Sequence, residues 1–161
     1  MATPALQPIA NNREDSVFRF LGLPTAIRAT SESTRGNFVL VEQWSVPPGF
    51  ASPYHVHHAE DEAFYILEGE VAFVCGDKWI KAGPGAYVFG PREIPHGFKI
   101  IGATPARLLL LAAPGGFERF IRELAEPVDA APTPPDIPKL IAIAAKHKID
   151  ILGPLPEHDG F

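Results

Sequence analysis

Proline and glycine interrupt this chain so often that long helices are disfavoured over most of it. The 161 residues include 18 prolines and 14 glycines, which separate short apolar runs instead of clustering in one segment. Proline lacks a backbone hydrogen-bond donor and glycine favours turns, so each tends to end a regular element. Short apolar segments between such residues are typical of an all-β protein.

Ten short segments have the composition of strands. Turn sequences between them include Gly76–Asp77, Gly83–Gly85 and Gly102–Ala103. Strands at this spacing favour a sandwich or barrel over a fold of alternating strands and helices. The predicted strands are Val17–Phe20, Thr25–Ala29, Phe38–Val46, Tyr54–His57, Ala63–Leu67, Glu70–Val74, Lys78–Lys81, Ala86–Phe89, Gly97–Ile101 and Ala106–Leu111.

The segment after residue 114 has a different periodicity. A second helix is predicted over Pro138–Lys146, after an irregular proline-rich linker over Pro127–Pro138. We therefore expect a β-barrel over residues 1–114, including the N-terminal strands, and a helical tail over residues 115–161. The tail could pack on the barrel or join a dimer interface. The first helix of the tail is predicted from apolar residues at helical spacing, namely Phe117, Phe120, Ile121 and Leu124.

Charge and hydropathy argue against several classes of partner. The formal net charge is -5 and no lysine- or arginine-rich block occurs, so we expect no nucleic acid partner. The apolar run Leu108–Ala113 fits a buried strand and is far shorter than the roughly 20 residues of a membrane span. Met1–Asn12 lacks the basic and apolar segments of a secretory signal, and the single Cys75 excludes an internal disulfide. These features predict a cytoplasmic protein with no membrane partner.

Three histidines and a glutamate form a pattern suited to a metal ion. His55 and His57 are two residues apart, so a strand would place them on one face. An isolated His-x-His pair would favour surface histidines, but the spaced Glu62 and the later His96 favour a metal site. Three imidazoles and a carboxylate suit one divalent transition metal ion (Fe, Mn, Ni, Co or Zn) and can leave coordination positions open.

The spacing of these residues resembles the two sequence motifs of the cupin family. The resemblance implies a double-stranded β-helix, also called a jelly roll, with the ion inside the barrel. It also implies that the four side chains are the metal ligands. The first motif is matched without a gap and the second closely, by Gly49-x5-His55-x-His57-x4-Glu62-x6-Gly69 and Gly85-x5-Pro91-x4-His96.

The second motif departs from the family pattern at two positions. Glu93 stands where the family has glycine, which concerns the turn before His96, and Ile100 stands where the family has asparagine. Neither change removes a ligand. An apolar side chain in place of an amide should favour an aromatic or otherwise apolar ligand over a sugar.

Four apolar residues share strand parity with the ligands and are candidates for a substrate pocket. Their alternative role is ordinary barrel core. A cavity lined by them would be apolar and sized for a small organic molecule. These candidates are Phe64, Ile66, Phe98 and Ile100.

Residues beside the motif have supporting roles in this interpretation. His58 has the opposite parity to His57, so we expect it to face solvent or to support a ligand. Glu60 and Asp61 are turn acids that could reach the second nitrogen of a ligand histidine. Arg92 and Glu93 are expected to form a solvated turn pair.

The resemblance leaves the reaction open, because cupins include dioxygenases, isomerases, epimerases, decarboxylases and non-catalytic binding proteins. The tail, over Gly115–Phe120 and Lys139–Pro154, is similar to small single-domain cupins labelled quercetinase-like. The leading hypothesis is a metal-dependent dioxygenase, an oxidoreductase acting on a small aromatic or enolic substrate. The resemblance gives Glu62 a second role as a catalytic proton acceptor. The alternatives are an isomerase or decarboxylase that uses the ion as a Lewis acid, and a binding module without turnover.

The predicted sheets also bear on assembly. Open sheets leave strand edges that need covering, and a two-fold dimer is the commonest closed solution. We therefore expect a homodimer, held by sheet edges or by the helical tail.

Overall fold

The computed structural model of the chain describes residues 8–131 and 133–161. Residues 1–7 lie outside the described residues. They belong to the predicted barrel and to the segment that was considered as a secretory signal. Residue 132, which falls in the predicted linker, also lies outside the described residues. Antiparallel strands in two sheets make up most of the fold within these ranges, which confirms the all-β prediction.

The ten predicted strands are all present, and their ends shift by at most two residues. A short 3-10 helix, Arg13–Ser16, precedes the first strand, and the helices of the tail are α1 (Phe117–Glu123) and α2 (Ile137–Lys146). The strands are β1 (Val17–Phe20), β2 (Leu23–Ala29), β3 (Val39–Val46), β4 (Tyr54–His57), β5 (Asp61–Glu68), β6 (Val71–Cys75), β7 (Lys78–Ala82), β8 (Tyr87–Gly90), β9 (His96–Ile100), β10 (Ala106–Ala113), β11 (Glu126–Pro127) and β12 (Ile149–Gly153).

The two sheets bring the ligand candidates together. The larger sheet has the strand order β11-β1-β2-β3-β10-β5-β8 and the smaller has the order β12-β4-β9-β6-β7. His55 on β4 is the direct register partner of His96 on β9. Glu62 lies on β5 of the larger sheet, so the histidines and the glutamate approach from opposite sheets.

The core lies between the sheets and follows from strand alternation. Along β10 every second residue is buried, beginning with Ala106 and Leu108. Ile66 and Ile100 are also fully buried in this core. Burial of a leucine or isoleucine side chain stabilises a fold by roughly 1.5–3 kcal/mol, so the alternating positions fix which face of each strand points inwards.

The tail contributes both predicted helices and two strands that were not predicted, β11 and β12. α2 begins after Asp136, whose carboxylate accepts a hydrogen bond from the Lys139 backbone N–H at 3.0 Å. It buries Leu140 and Ala144, four residues apart on one face. β12 then joins the smaller sheet beside β4. None of the helices in the described ranges is long and apolar enough to cross a membrane.

Candidate metal centre

Four side chains converge between the sheets. His55, His57, Glu62 and His96 each offer one ligand atom, and these atoms all lie within 4.8 Å of one another. Glu62 Oε2 lies 2.7 Å from His96 Nε2, 3.2 Å from His57 Nε2 and 3.6 Å from His55 Nε2. The set identified from sequence spacing therefore forms a cluster that could bind a metal ion.

The second nitrogen of each imidazole is fixed by a hydrogen bond to an oxygen. Carbonyl and carboxylate oxygens only accept, so each Nδ1 must carry a proton. In a neutral imidazole the Nε2 lone pair then faces the centre of the cluster, as metal ligation requires. The partners are Pro53 O for His55 at 2.7 Å, Glu60 Oε1 for His57 at 2.7 Å and Ile94 O for His96 at 2.9 Å.

One atom of the cluster tests whether a cation fits. His57 Nε2 is buried and forms no hydrogen bond with any described residue. It lies 3.2 Å from Glu62 Oε2 without the geometry of a hydrogen bond. A buried ring nitrogen that lies this close to a carboxylate without a hydrogen bond is unfavourable unless a cation lies between them. His96 Nε2 differs, because it is within hydrogen-bond distance of Glu62 Oε2 at 2.7 Å. The unpartnered His57 nitrogen, together with two further imidazoles and one carboxylate, fits a divalent transition metal ion.

The protonation states of the cluster are set by burial and by charge. Burial raises the pKa of Glu62, but His57 and the other imidazoles outweigh that effect and hold the pKa well below its usual range. Burial lowers the pKa of His57, whereas Glu62 and Glu60 raise it more strongly, to about 10. Burial also lowers the pKa of His55. Glu62 is thus ionised, and a metal ion must displace a proton from His57 when it binds.

The turn before His96 has Glu93 in a left-handed conformation, at the position of the family glycine. Glu93 has a φ of 66°, a left-handed conformation that glycine adopts most readily. Its backbone N–H donates to His57 O at 2.8 Å, which joins this turn to a strand of the cluster. Its carboxylate lies 2.8 Å from His58 Nδ1, and Asp150 lies 2.9 Å from His58 Nε2. His58 is therefore exposed and bound to two acids outside the cluster.

Glu60 and Asp61 separate into different roles. Glu60 is buried against His57, whereas the carboxylate of Asp61 lies 3.0 Å from the Arg92 guanidinium. Arg92 therefore pairs with Asp61, not with Glu93. Of the two acids, Glu60 is the one that orients a histidine of the cluster.

An apolar inner cavity of about 70 Å³ adjoins the cluster. His55, His57 and Glu62 contribute to its wall, as do two of the four pocket candidates, Phe64 and Phe98. The other two, Ile66 and Ile100, lie in the core and do not line it. Strand parity placed all four on inward faces but could not say how far each lies from the cluster along its strand.

The tail supplies a wall of the inner cavity that sequence reasoning did not assign. The ring centroid of Phe117, at the start of α1, lies 5.2 Å from that of His57. Phe120, Leu140 and Ile149 also line the cavity. An outer cavity of about 440 Å³ adjoins it and shares six lining residues with it. The shared residues are Leu21, Phe50, Ser52, Pro53, Leu140 and Ile151.

Similarity to known proteins agrees with this geometry. Residues 42–112 match the family model described as a cupin domain. The chain belongs to the cupin family. The match includes the strands that carry all four ligand candidates.

Solved structures show the same fold. The chain is 32% identical to TT1209 from Thermus thermophilus, with a TM-score of 0.51 over 57% of this chain and 83% of that one. It is 24% identical to a predicted oxalate decarboxylase from Thermotoga maritima, with a TM-score of 0.54 over 57% and 80%. An RmlC-like cupin from Shewanella frigidimarina is 17% identical, with a TM-score of 0.57 over 70% and 96%. The double-stranded β-helix prediction is thereby confirmed.

Proposed function

We propose that this cupin binds one divalent transition metal ion through His55, His57, Glu62 and His96 and oxygenates a small aromatic or enolic molecule beside it. One observation supports this most strongly. Three imidazoles with fixed Nδ1 atoms direct Nε2 towards an ionised carboxylate at the wall of an apolar cavity. Such a site combines a held cation with a space that suits an apolar organic molecule.

The residues of the chain have separate tasks in this proposal. The ion would supply Lewis acidity and, if redox-active, reactivity with dioxygen. Glu62 is ionised and lines the inner cavity, so it can accept the proton of an enol or phenol as that oxygen binds. Phe64, Phe98 and Phe117 exclude water from the same space and favour a flat, apolar substrate.

A second candidate is a decarboxylase or isomerase that uses the ion only as a Lewis acid. The similarity to a predicted oxalate decarboxylase, at 24% identity, bears on the fold alone. No lysine or arginine of the described chain lines the inner cavity, so a small dianion would lack a partner for its second charge. The apolar lining favours the oxygenase and also suits a binding protein without turnover.

The test begins with metal content. Protein loaded with Fe, Mn, Ni, Co or Zn and dialysed should retain one ion per chain by elemental analysis. His55→Ala and His96→Ala should lose it, whereas His58→Ala, an exposed histidine outside the cluster, should keep it. Stoichiometric metal of unchanged affinity in both ligand variants would overturn the site.

Turnover is tested separately with an oxygen electrode. Metal-loaded protein is mixed with a panel of catechols, flavonols and 1,3-diketones. Oxygen consumption that Glu62→Gln abolishes would support the oxygenase. Tight binding without oxygen consumption, with any of the five metals, would instead favour the binding protein.

We also propose that the protein is a homodimer. β8 is the last strand of the larger sheet within the described residues, and it exposes Tyr87 and Phe89 beside Tyr65 of β5. An apolar surface at an open sheet edge suits a two-fold contact with a second copy. Light scattering at micromolar concentrations should give a dimer mass, and Phe89→Glu should give a monomer. A cytoplasmic location stays a prediction.

A further inference from the structure

Gln43 is a polar side chain in the apolar wall of the inner cavity. It lies on β3 with the strand parity of Val39 and Val41, and only 5% of its surface is exposed. It lines the same cavity as His55, His57 and Glu62, but it is not part of the metal cluster. A buried amide in such a wall needs hydrogen-bond partners for both of its ends.

The nitrogen end of this amide has a partner. Gln43 Nε2 donates to Thr25 Oγ1 at 3.2 Å, and the Thr25 hydroxyl donates to Leu23 O at 2.9 Å. Because the hydroxyl hydrogen of Thr25 is used by Leu23, its oxygen can only accept from Gln43. This chain of bonds fixes the amide with its nitrogen on Thr25 and its oxygen turned away from it.

The oxygen end has no partner in the protein. Gln43 Oε1 forms no hydrogen bond with any residue of the ranges 8–131 and 133–161. An acceptor held in place at the wall of an apolar cavity favours a ligand that offers it a donor. A ligand with a hydroxyl or N–H group would satisfy it.

We propose that Gln43 is the second anchor of the ligand, accepting a hydrogen bond from a hydroxyl or N–H group while the metal cluster binds an oxygen donor at the other end. This inference rests on the proposed function. It narrows the substrate class from any small apolar molecule to an aromatic one with polar groups at both ends.

The register of the larger sheet sets the length of such a ligand. Gln43 on β3 is opposite Leu108 on β10, which is opposite Ile66 on β5. Glu62 lies four residues before Ile66 on that strand. Two strand spacings of about 4.8 Å and four residues at about 3.3 Å place the two Cα atoms roughly 16 Å apart along the sheet. Both side chains line an inner cavity of about 70 Å³, so a ligand with a single small ring matches that space better than one with two rings.

The experiment compares matched ligands that differ by one hydroxyl. The probes are benzohydroxamic acid and its 4-hydroxy derivative, and biphenyl-4-carbohydroxamic acid and its 4′-hydroxy derivative. Hydroxamates bind divalent metals through two oxygens. Affinity is measured by calorimetry on Zn²⁺-loaded protein, so that no turnover is needed, and metal content is measured in the same samples.

The expected result is a thermodynamic cycle in which the substitution of Gln43 and the removal of the probe hydroxyl are coupled. In the wild type at least one hydroxylated probe should bind roughly fivefold tighter than its parent, as one net hydrogen bond implies. Gln43→Met has similar length but no amide, so it should abolish the preference for the hydroxylated probe and keep full metal content. Thr25→Val leaves Gln43 in place but removes the bond that orients it, so it should reduce the preference.

Each failure has a distinct meaning. Metal-loaded wild-type protein that binds neither hydroxamate, or shows no hydroxyl preference in either pair, overturns the anchor and leaves the metal site standing. A preference that persists in folded Gln43→Met also overturns it. Wild-type protein that retains no metal overturns the proposed function, and the anchor with it.

Discussion

Substitution of Glu60 tests how residues next to the cluster set its affinity for a metal ion, because Glu60 contacts His57 but is not one of the four ligand candidates. Its carboxylate lies 2.7 Å from His57 Nδ1 and is buried. In Glu60→Gln the side chain keeps its shape but loses the charge. Loss of such a supporting partner typically lowers metal affinity 10–100-fold, which corresponds to about 1.4–2.8 kcal/mol.

The size of the effect should depend on pH, with a sign that follows from the pKa of His57. Glu60 contributes to raising that pKa to about 10. At pH 7 His57 of the metal-free wild type is protonated, so its hydrogen bond to Glu60 exists both before and after metal binding. The contribution of that bond to the free energy of metal binding therefore largely cancels. In Glu60→Gln the pKa is lower and fewer protons compete with the metal. The difference in affinity between wild type and variant should therefore widen as the pH rises towards 10.

The assay is Zn²⁺ competition against a chromogenic chelator at pH 7 and at pH 9.5. The matched control is Asp61→Asn, which neutralises the adjacent acid but breaks only an exposed contact with Arg92. The control should match the wild type at both pH values. A loss in Glu60→Gln of equal size at pH 7 and 9.5, or an equal loss in Asp61→Asn, would refute the argument that Glu60 acts through the basicity of His57.

Three further predictions concern stability. In the metal-free protein the pKa of His57 rises from 6.5 to about 10 on folding. The contribution of the protonated His57 to the free energy of unfolding is therefore complete below pH 6.5 and is lost as the pH rises through 10. Urea midpoints measured from pH 6 to 10.5 should fall in the wild type, and should fall less in His57→Gln. Ile100→Asn buries an amide in the core without touching the inner cavity, so denaturant titration should show a loss of about 2–4 kcal/mol with metal content unchanged. Glu93→Gly relieves a left-handed residue and should raise the free energy of unfolding by about 1 kcal/mol, whereas Glu93→Ala should not.

The sequence predicted the strands and the cluster well because both depend on local periodicity. Strand parity places His55 with His57, and the short apolar runs bounded by proline and glycine locate β1 to β10 within two residues. Parity gives no information about the position of a residue along its strand. It could therefore not distinguish Phe64 from Ile66, although only Phe64 lines the inner cavity.

The remaining features depend on contacts between distant segments. β12 was missed because Ile149–Gly153 is too short for a clear alternation and gains its strand conformation from pairing with β4. Gln43 did carry a local signal, since it is the polar member of the inward series Val39, Val41 and Gln43. The place of Phe117 beside His57 could not be predicted, because helical spacing gives the apolar face of α1 but not the surface that it covers.

The pairing of β12 with β4 makes the tail a thermodynamic partner of the metal site. Ile149 is opposite His57 and Ile151 is opposite His55, so the backbone that holds two of the ligand candidates is itself held by a segment about 90 residues later in the chain. Coupling of this kind is reciprocal. A change that destabilises the pairing of β12 with β4 should lower the affinity of the cluster for a metal ion. An ion bound in the cluster should in turn protect the tail from local opening and from proteases. The protease accessibility of β12 would then report whether the cluster has bound an ion.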